Sequence, residues 1–474
     1  WLTALCKFPG KNLLVWLLLL PLAMPAYIIA YTYTGMFDFA GPVQTWLREL
    51  TGWGYGDYWF PEVRSLGGAM LMLSLVLYPY VYMLARAAFL EQSICVLEVS
   101  RTLGNNAYQS FRQVALPLAR PAIVTGLSLA LMETLADYGT VQYFGISTFT
   151  TGIFRTWFGM GDSATAIQLA AVLMVFVLVL ILIERWSRKR ARFHHTSNKY
   201  SAIDRYQLRG YRAWLAFIAC LLPVLFGFIL PSLQLLIWTM TTADTSLDLS
   251  FLVLAGHSLL LASIAALVAV TLALLLAYGK RLNNTPLTNT SVRLATMGYA
   301  IPGTVIAMGV LMPLAWLDNT IDEWMRETFQ ISTGLLLSGT LYALIFAYTV
   351  RFLSVSIQTV ESGLGKIKPS MDDAGRSLGL TPLSVLRQLH LPLMRGTVLT
   401  ALLLVFVDVL KELPATLILR PFNFNTLAVR AYEMASDERL ADAGAPALMI
   451  VLAGIIPVIL LSRAISHSRA GSRV

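Results

Sequence analysis

Charge is what this 474-residue chain has least of: Asp, Glu, Lys and Arg make up 13% of it, against roughly 25% in an ordinary globular protein. A surface facing water cannot be covered with so few charges. That excludes the string of about three soluble domains that the length alone would accommodate, and it excludes disorder, which needs low hydrophobicity and high charge. Cysteine is scarce as well. Cys6, Cys95 and Cys220 are far apart and form no CxxC pair, so a disulfide scaffold and a zinc module are both unsupported and the three read as packing residues. There are five histidines, and His194 and His195 stand together in a basic stretch rather than at metal-ligand spacing. A nucleotide-binding P-loop is missing too; the nearest string, Gly363-Leu364-Gly365-Lys366, lacks both the spacing and the hydroxyl residue.

What is present is apolar: AVILMFWYC residues form 57% of the chain. Runs of about 20 apolar residues, enough for a helix to cross a ~30 Å hydrocarbon core, recur at residues 12–31, 66–85, 121–143, 166–183, 214–238, 258–278, 292–311, 334–352, 397–419 and 447–461. Alternating strands of a transmembrane barrel are absent, so the expected class is an all-α polytopic membrane protein. Lys and Arg concentrate in one alternate set of connections (Lys7 and Lys11, Arg86 to Arg120, Arg185 to Arg212, Lys280 to Arg293, Arg351 to Arg395, Arg463 to Arg473), whereas Asp318, Asp322, Glu323, Glu327, Glu433, Asp437, Glu438 and Asp442 lie on the opposite side. By the positive-inside rule the basic side is cytoplasmic. The net charge of +9 is thus a topology signal, and no nucleic acid partner is implied.

The chain also repeats itself. EVSRTLGNNAYQSFRQVALPLAR from Glu98 and DAGRSLGLTPLSVLRQLHLPLMR from Asp373 share nine of 23 positions without a gap, at an offset of 275 residues, including Gly104/Gly379 and Pro117/Pro392. Each copy lies in a basic connection and runs into an apolar span. Ala23-Met24-Pro25 likewise matches Ala300-Ile301-Pro302, and a proline inside a span predicts a kink. Four spans in the first half against six in the second, with Trp1 to Lys7 matching the end of the span near Tyr278, lead us to expect two further spans ahead of Trp1 and a native layout of six plus six. The expected domains are residues 1–190, a basic cytoplasmic linker over 191–213, and residues 214–474. Halves that begin and end on the same side are parallel repeats, with a pathway expected at their interface.

The repeated loop, an acid (Glu98, Asp373), two small residues, a glycine six positions on and a Leu-Pro thirteen beyond that, resembles the EAA loop of bacterial ATP-binding-cassette importer permeases. The match departs from the family in Val99 and Ser100, in Asp373 for Glu, and in Gly375 for the second Ala. The resemblance implies two parallel repeats of the six-helix, type I (MetI-like) permease domain, the first truncated at its N-terminus, in the bacterial inner membrane. It implies partners: two copies of a separate ATPase subunit gripping Glu98, Gly104, Pro117 and Asp373, Gly379, Pro392, a periplasmic solute-binding protein outside, and membrane lipid around. ATP belongs to the partner ATPase, no cofactor is expected on this chain, and it is not expected to be an enzyme. Along most of its length it is also similar to ferric-iron importer permeases, on LPLAMPAYIIAYTYTGMFDFAGPVQ from Leu20, LYPYVYMLARAAF from Leu77, METLADYGTVQYFGISTFTTGIFRTWFG from Met132 and DVLKELPATLILRPFNFNTLAVRAYEMASDE from Asp408. Ferric iron is therefore the expected cargo. Permeases for thiamine and for phosphonates share the scaffold, and a proton-coupled secondary transporter is the rival from another class, though it gives no reason for duplicated coupling loops.

Four carboxylates fall within apolar runs and obey the repeat: Glu133 matches Asp408, and Asp137 matches Glu412. As i, i+4 pairs they are expected on one helix face, turned toward the bundle interior or a wet cavity, because an acid at a helix centre costs about 2.5–3.5 kcal/mol in lipid. Hard cations favour oxygen ligands, so Glu133, Asp137, Tyr138, Asp408 and Glu412 are the candidate substrate pathway, with Tyr143 close by. No fixed metal site is expected, only a transient iron contact at Glu133 and Asp137. The structural alternative is that Lys411 neutralises Asp408 or Glu412. The aromatic segment Tyr31 to Phe60 and the acidic, amphipathic stretch Trp316 to Phe329 read as interfacial belts or as a landing surface for the binding protein.

Overall fold

A computed structural model describes residues 1–54, 56–91, 100, 102, 104, 106–189, 206–243 and 248–467. Each expected apolar run contains helix, but not always as one span. Eight helices among the described residues are long and apolar enough to cross a membrane, a ninth if Lys11–Ala23 and Ala26–Thr51, bent by 93° at their junction, count as one. A shorter apolar helix, Gly444–Ile459, occupies the tenth run.

The two span prolines do more than kink. Before Pro25 the chain winds into a 3-10 turn (Leu20–Ala23), goes extended at Met24 and restarts as helix α1 (Ala26–Phe37). The matching turn Gly298–Ala300, extended Ile301 and Pro302 repeat this conformation in the second half. Proline lacks the N–H that would continue the first helix but suits the start of the next one. A second pair of breaks follows: α2 (Leu66–Glu91) precedes α3 (Leu116–Ala136), which stops and resumes as the short α4 (Gly139–Tyr143). In the second half α5 (Leu249–Leu282), α6 (Gly303–Phe329), α7 (Leu341–Leu364) and the surface helix α8 (Pro369–Ser377) lead to α9 (Leu391–Leu410) and the short α10 (Pro414–Leu419). The start of α5 is capped by Asp248, which accepts hydrogen bonds from Ser250 Oγ (2.7 Å) and the Phe251 N–H (2.9 Å), and these hold its carboxyl below the usual carboxylate range.

The described chain condenses into two compact units. One comprises residues 1–148, 172–238 and the C-terminal stretch from 458; the other comprises 149–171 and 239–457. In the first unit Ala213, Ala216, Cys220 and Val224 of helix Tyr211–Val224 pack with Leu14 and Leu18 in one buried cluster edged by Tyr78 and Tyr82. Within that unit α2 lies against α3 at Gly126, where a Cβ would come within 2.7 Å of Val81 Cα. Residues 6–7 and 206–207 form a two-residue parallel bridge. In the second unit α5, α7 and α9 pack together through Ala273, Ala277, Ile357, Val360 and Met394.

Candidate functional site

The repeated loop is built twice on one backbone plan. At the end of α8 the Gly379 N–H bonds to the Arg376 carbonyl (2.9 Å) and the Leu380 N–H to that of Gly375 (3.1 Å), with Gly379 at φ +79. This is a Schellman cap, which requires a left-handed residue; Gly104, at φ +86, has the same conformation in the first copy. The next short helix is capped by Asn106, which exchanges two 2.9 Å bonds with Gln109, and in the second copy by Thr381, which accepts from the Ser384 N–H. Each loop then enters its span through a widened turn, Phe111–Ala115 and Leu386–His390, where the Leu116 and Leu391 N–H groups reach back five residues. The wider turn lets Pro117 and Pro392 sit just inside the following helix without breaking it.

The small residues beside the acid serve the loop itself. Ser100 Oγ is 2.9 Å from Ser110 Oγ, both buried. At the matching positions Gly375 meets Val385, and a Cβ on it would lie 3.0 Å from Val385 Cγ2. Two pairs of unlike chemistry thus close the same contact, which places these small residues in the loop's own packing rather than on its outer surface. Asp373, Arg376, Arg387 and Gln388 are exposed, as are Arg112 and Gln113. Leu378 is 82% and Leu383 69% exposed at the tip, and Tyr108, matching Leu383, is 68% exposed. Glu98 lies outside the described residues.

The four carboxylates are arranged differently from the expected helix face. α3 ends at Ala136, so Glu133 is its last-turn residue, whereas Asp137 is extended (ψ 134) and caps α4 by accepting from the Val141 N–H (3.2 Å) and Thr140 Oγ1 (3.0 Å). α9 likewise ends at Leu410, and Glu412 caps α10, accepting from the Ala415 and Thr416 N–H groups (3.1 and 3.2 Å) and from Thr416 Oγ1. The i, i+4 expectation fails because the helix breaks between the two members of each pair. Both breaks place the second acid at the N-terminus of a short helix, where unsatisfied N–H groups attract negative charge.

Around these equivalent acids the halves diverge. Glu412 is buried and bonded to Arg351 (3.0 Å), a residue interior to α7 rather than one of the basic-side charges with which the sequence groups it. Tyr348, one turn earlier, donates to or accepts from Thr416 Oγ1 at 2.6 Å. Gly303 makes room for the pair, since a Cβ there would fall on the guanidinium of Arg351 and on Glu412 Oε1. At the corresponding positions the first half has Val76, Leu73 and Ala26. It has tyrosines instead: Tyr27 and Tyr31 with ring centroids 6.4 Å apart, Tyr31 and Tyr143 at 6.3 Å, and the Arg64 guanidinium donating to Tyr143 Oη at 3.1 Å. Tyr138 is buried next to Asp137. Asp408 is paired with Lys411 at 2.8 Å, as the structural alternative expected for one of the two acids. Among the described residues, no three His, Cys, Asp or Glu side chains converge as a metal cage.

The stretch that follows α6 is ordered by two acids of that helix. Asp318 accepts from the N–H groups of Leu336, Leu337 and Ser338 and from Ser338 Oγ, and Asp322 from those of Thr333 and Gly334, so residues 332–338 are clamped onto α6. In the aromatic segment an open cavity of about 530 Å³ is lined by Phe37, Phe39, Tyr58, Trp59 and Phe60, with Asp38 among them.

Paired loops on the basic side, apolar spans and matched breaks define a class: an importer permease made of two homologous halves. The chain belongs to the family of binding-protein-dependent transport system inner membrane components, which matches residues 1–193 and 269–470. It is similar to the Fe(3+)-transport system permease protein of Haemophilus influenzae, 26% identical over 463 residues, covering 96% of this chain and 83% of the relative. It is 24% identical over 420 residues to the ferric transport system permease protein of Actinobacillus pleuropneumoniae, covering 85% of this chain and 58% of that protein. The molybdenum transport system permease protein of Escherichia coli is 26% identical over 201 residues, or 40% of this chain and 85% of its own. The chain is a multi-pass inner-membrane permease subunit of an ATP-binding-cassette importer; ATP hydrolysis resides on a separate chain.

Proposed function

We propose that this permease carries ferric iron, delivered by a periplasmic binding protein, and that two ATPase copies grip the loops at Glu98, Gly104, Pro117 and at Asp373, Gly379, Pro392. The duplicated loop carries the second part of this reading: two copies share one backbone plan, close on unlike residues and present exposed Leu378, Leu383 and Tyr108, a surface fit for a partner groove. The cargo rests on similarity to ferric permeases over nearly the whole chain and on the oxygen-rich first-half break, where Glu133, Asp137, Tyr138 and Tyr143 suit a hard cation. In the second half Asp408 and Glu412 face cations of the protein itself, so cargo contact is assigned to Glu133 and Asp137. Cation transit past these two needs only brief contact, without resident cofactor or metal.

The test is uptake into liposomes holding the permease, its ATPase and its binding protein, with radioactive ferric iron, thiamine and a phosphonate offered in turn. Ferric uptake supports the reading, and transport of only another cargo overturns it. Thiamine is the second reading, favoured by the Tyr27, Tyr31 and Tyr143 rings, whose faces suit a cationic heterocycle. Asp137→Asn with Glu133→Gln removes charge while leaving an oxygen to cap α4. Iron uptake should fall with assembly intact; unchanged uptake would remove both residues from the pathway.

A further inference from the structure

The second coupling loop is tied to its membrane helices by a polar knot whose carboxylate and imidazole have no counterpart in the sequence of the first. In the second half Asp372, in the first turn of α8, is 2.8 Å from Arg281 Nε at the end of α5 and 2.5 Å from His390 Nε2 in the widened turn that opens α9. Arg281 also donates to the carbonyl of Leu364 (2.5 Å), the last residue of α7, and to that of Ile367 (2.9 Å) just beyond it. His390 is fully buried, with the Tyr278 ring edge-on at 5.3 Å, and the Tyr278 hydroxyl donates to the Pro382 carbonyl at 2.8 Å. One carboxylate and one guanidinium thus join the surface helix to the ends of three spans, α5, α7 and α9. In the first half the residues matching Asp372 and His390 are Leu97 and Ala115. Ala115 lies in a buried cluster with Ala4, Leu5, Phe89 and Ala119, and Trp1 packs on Phe89 (5.9 Å) and Phe111 (5.2 Å).

Charge-assisted hydrogen bonds are short and directional, whereas apolar contact is non-directional and permits sliding at little cost. From this chemistry we infer that Asp372, Arg281 and His390 are positioning residues that make the second loop a stiff transmission of the importer. The inference rests on the loops being the ATPase contacts. A displacement of α8 is shared by three spans at once through the polar knot, and removing the knot lets α8 move without them.

The experiment measures substrate moved per ATP hydrolysed in liposomes holding the whole complex, with radioactive ferric iron as the probe. His390→Leu and Asp372→Asn should lower that ratio about tenfold, within the range of mutational effects on coupling between sites, with the ATPase still bound and hydrolysing. His390→Gln, which keeps an N–H donor toward Asp372, should restore most of it, and Phe111→Leu in the first half should lower it less than about twofold. An unchanged ratio, a fall equal to that of Phe111→Leu, or loss of ATPase binding with no rescue by His390→Gln overturns the inference. Should Asp372→Asn fail to reach the membrane, the His390→Leu and His390→Gln pair decides. If the wild-type complex moves no iron, the cargo reading falls alone: the knot is then judged by whether the binding protein still stimulates ATP hydrolysis in wild type but not in His390→Leu.

Discussion

The break at Asp137 and the break at Glu412 are the same piece of backbone put to different use. Each ends a span, turns, and starts a short helix capped by an acid. Around Glu412 the second half has added Arg351, Tyr348 and Gly303, a buried ion pair together with the space to hold it. Around Asp137 the first half has Val76, Leu73 and Ala26, and a tyrosine cluster instead. A repeat conserves backbone conformation more strictly than side-chain chemistry, because caps and left-handed turns admit few residues whereas a span interior admits any self-consistent set. In this chain one half's acid is committed to structure, and the other half's is the one assigned to cargo.

The sharpest way to break that comparison is to remove one partner of the pair. Arg351→Met leaves Glu412 buried without its cation and should destabilise the protein by ~3–5 kcal/mol, read as thermal unfolding in detergent. Arg351→Met with Glu412→Gln, which keeps an acceptor for the Ala415 and Thr416 N–H groups, should recover more than half of the loss. A small effect of the single change would make the halves equivalent. Next in size is Gly303→Ala, whose Cβ would fall on Arg351 and Glu412 and should cost about 1–3 kcal/mol; the reverse change in the first half, Ala26→Gly, should cost at most ~1 kcal/mol.

Asp137→Ala should cost ~1 kcal/mol through loss of the α4 cap and Asp137→Asn only a few tenths, so unfolding measurements on the two separate cap from charge. Equal losses would mean the charge itself holds the fold, as in the second half. Lys411→Met, which removes the partly exposed partner of Asp408, should change stability by less than ~1 kcal/mol; a larger loss would make Asp408 a second structural acid. Outside the breaks, Asp318→Asn removes the charge that gathers the Leu336, Leu337 and Ser338 N–H groups, and limited proteolysis within residues 332–338 should become faster.

Much of this was legible in the chain. Low charge and apolar runs point to a helical membrane bundle, and the matched Gly104/Gly379 and Pro117/Pro392 mark loops whose φ angles and widened turns the structure repeats. The breaks at Pro25 and Pro302 were visible as prolines but read as kinks, because a proline alone does not tell whether the helix resumes in line. The break before Asp137 had no such marker on its N-terminal side, and an unbroken apolar run made the acids look like one face. Arg351 was hidden by its position at the end of an apolar run, where it resembles a basic flanking residue; the asymmetry with Val76 was the available signal. The Asp372, His390 and Arg281 contact was out of reach, since its members are 18 and 91 residues apart.

The sequence by itself determined class, repeat and loop geometry, because these depend on transfer free energy summed over whole segments and on residues, glycine and proline, that constrain their own backbone. Which acid is neutralised, which small residue faces its own loop and which outer acid clamps a neighbouring segment were decided only by tertiary structure. Those outcomes depend on what a side chain meets across the bundle, within a few ångströms, and no local pattern encodes that distance.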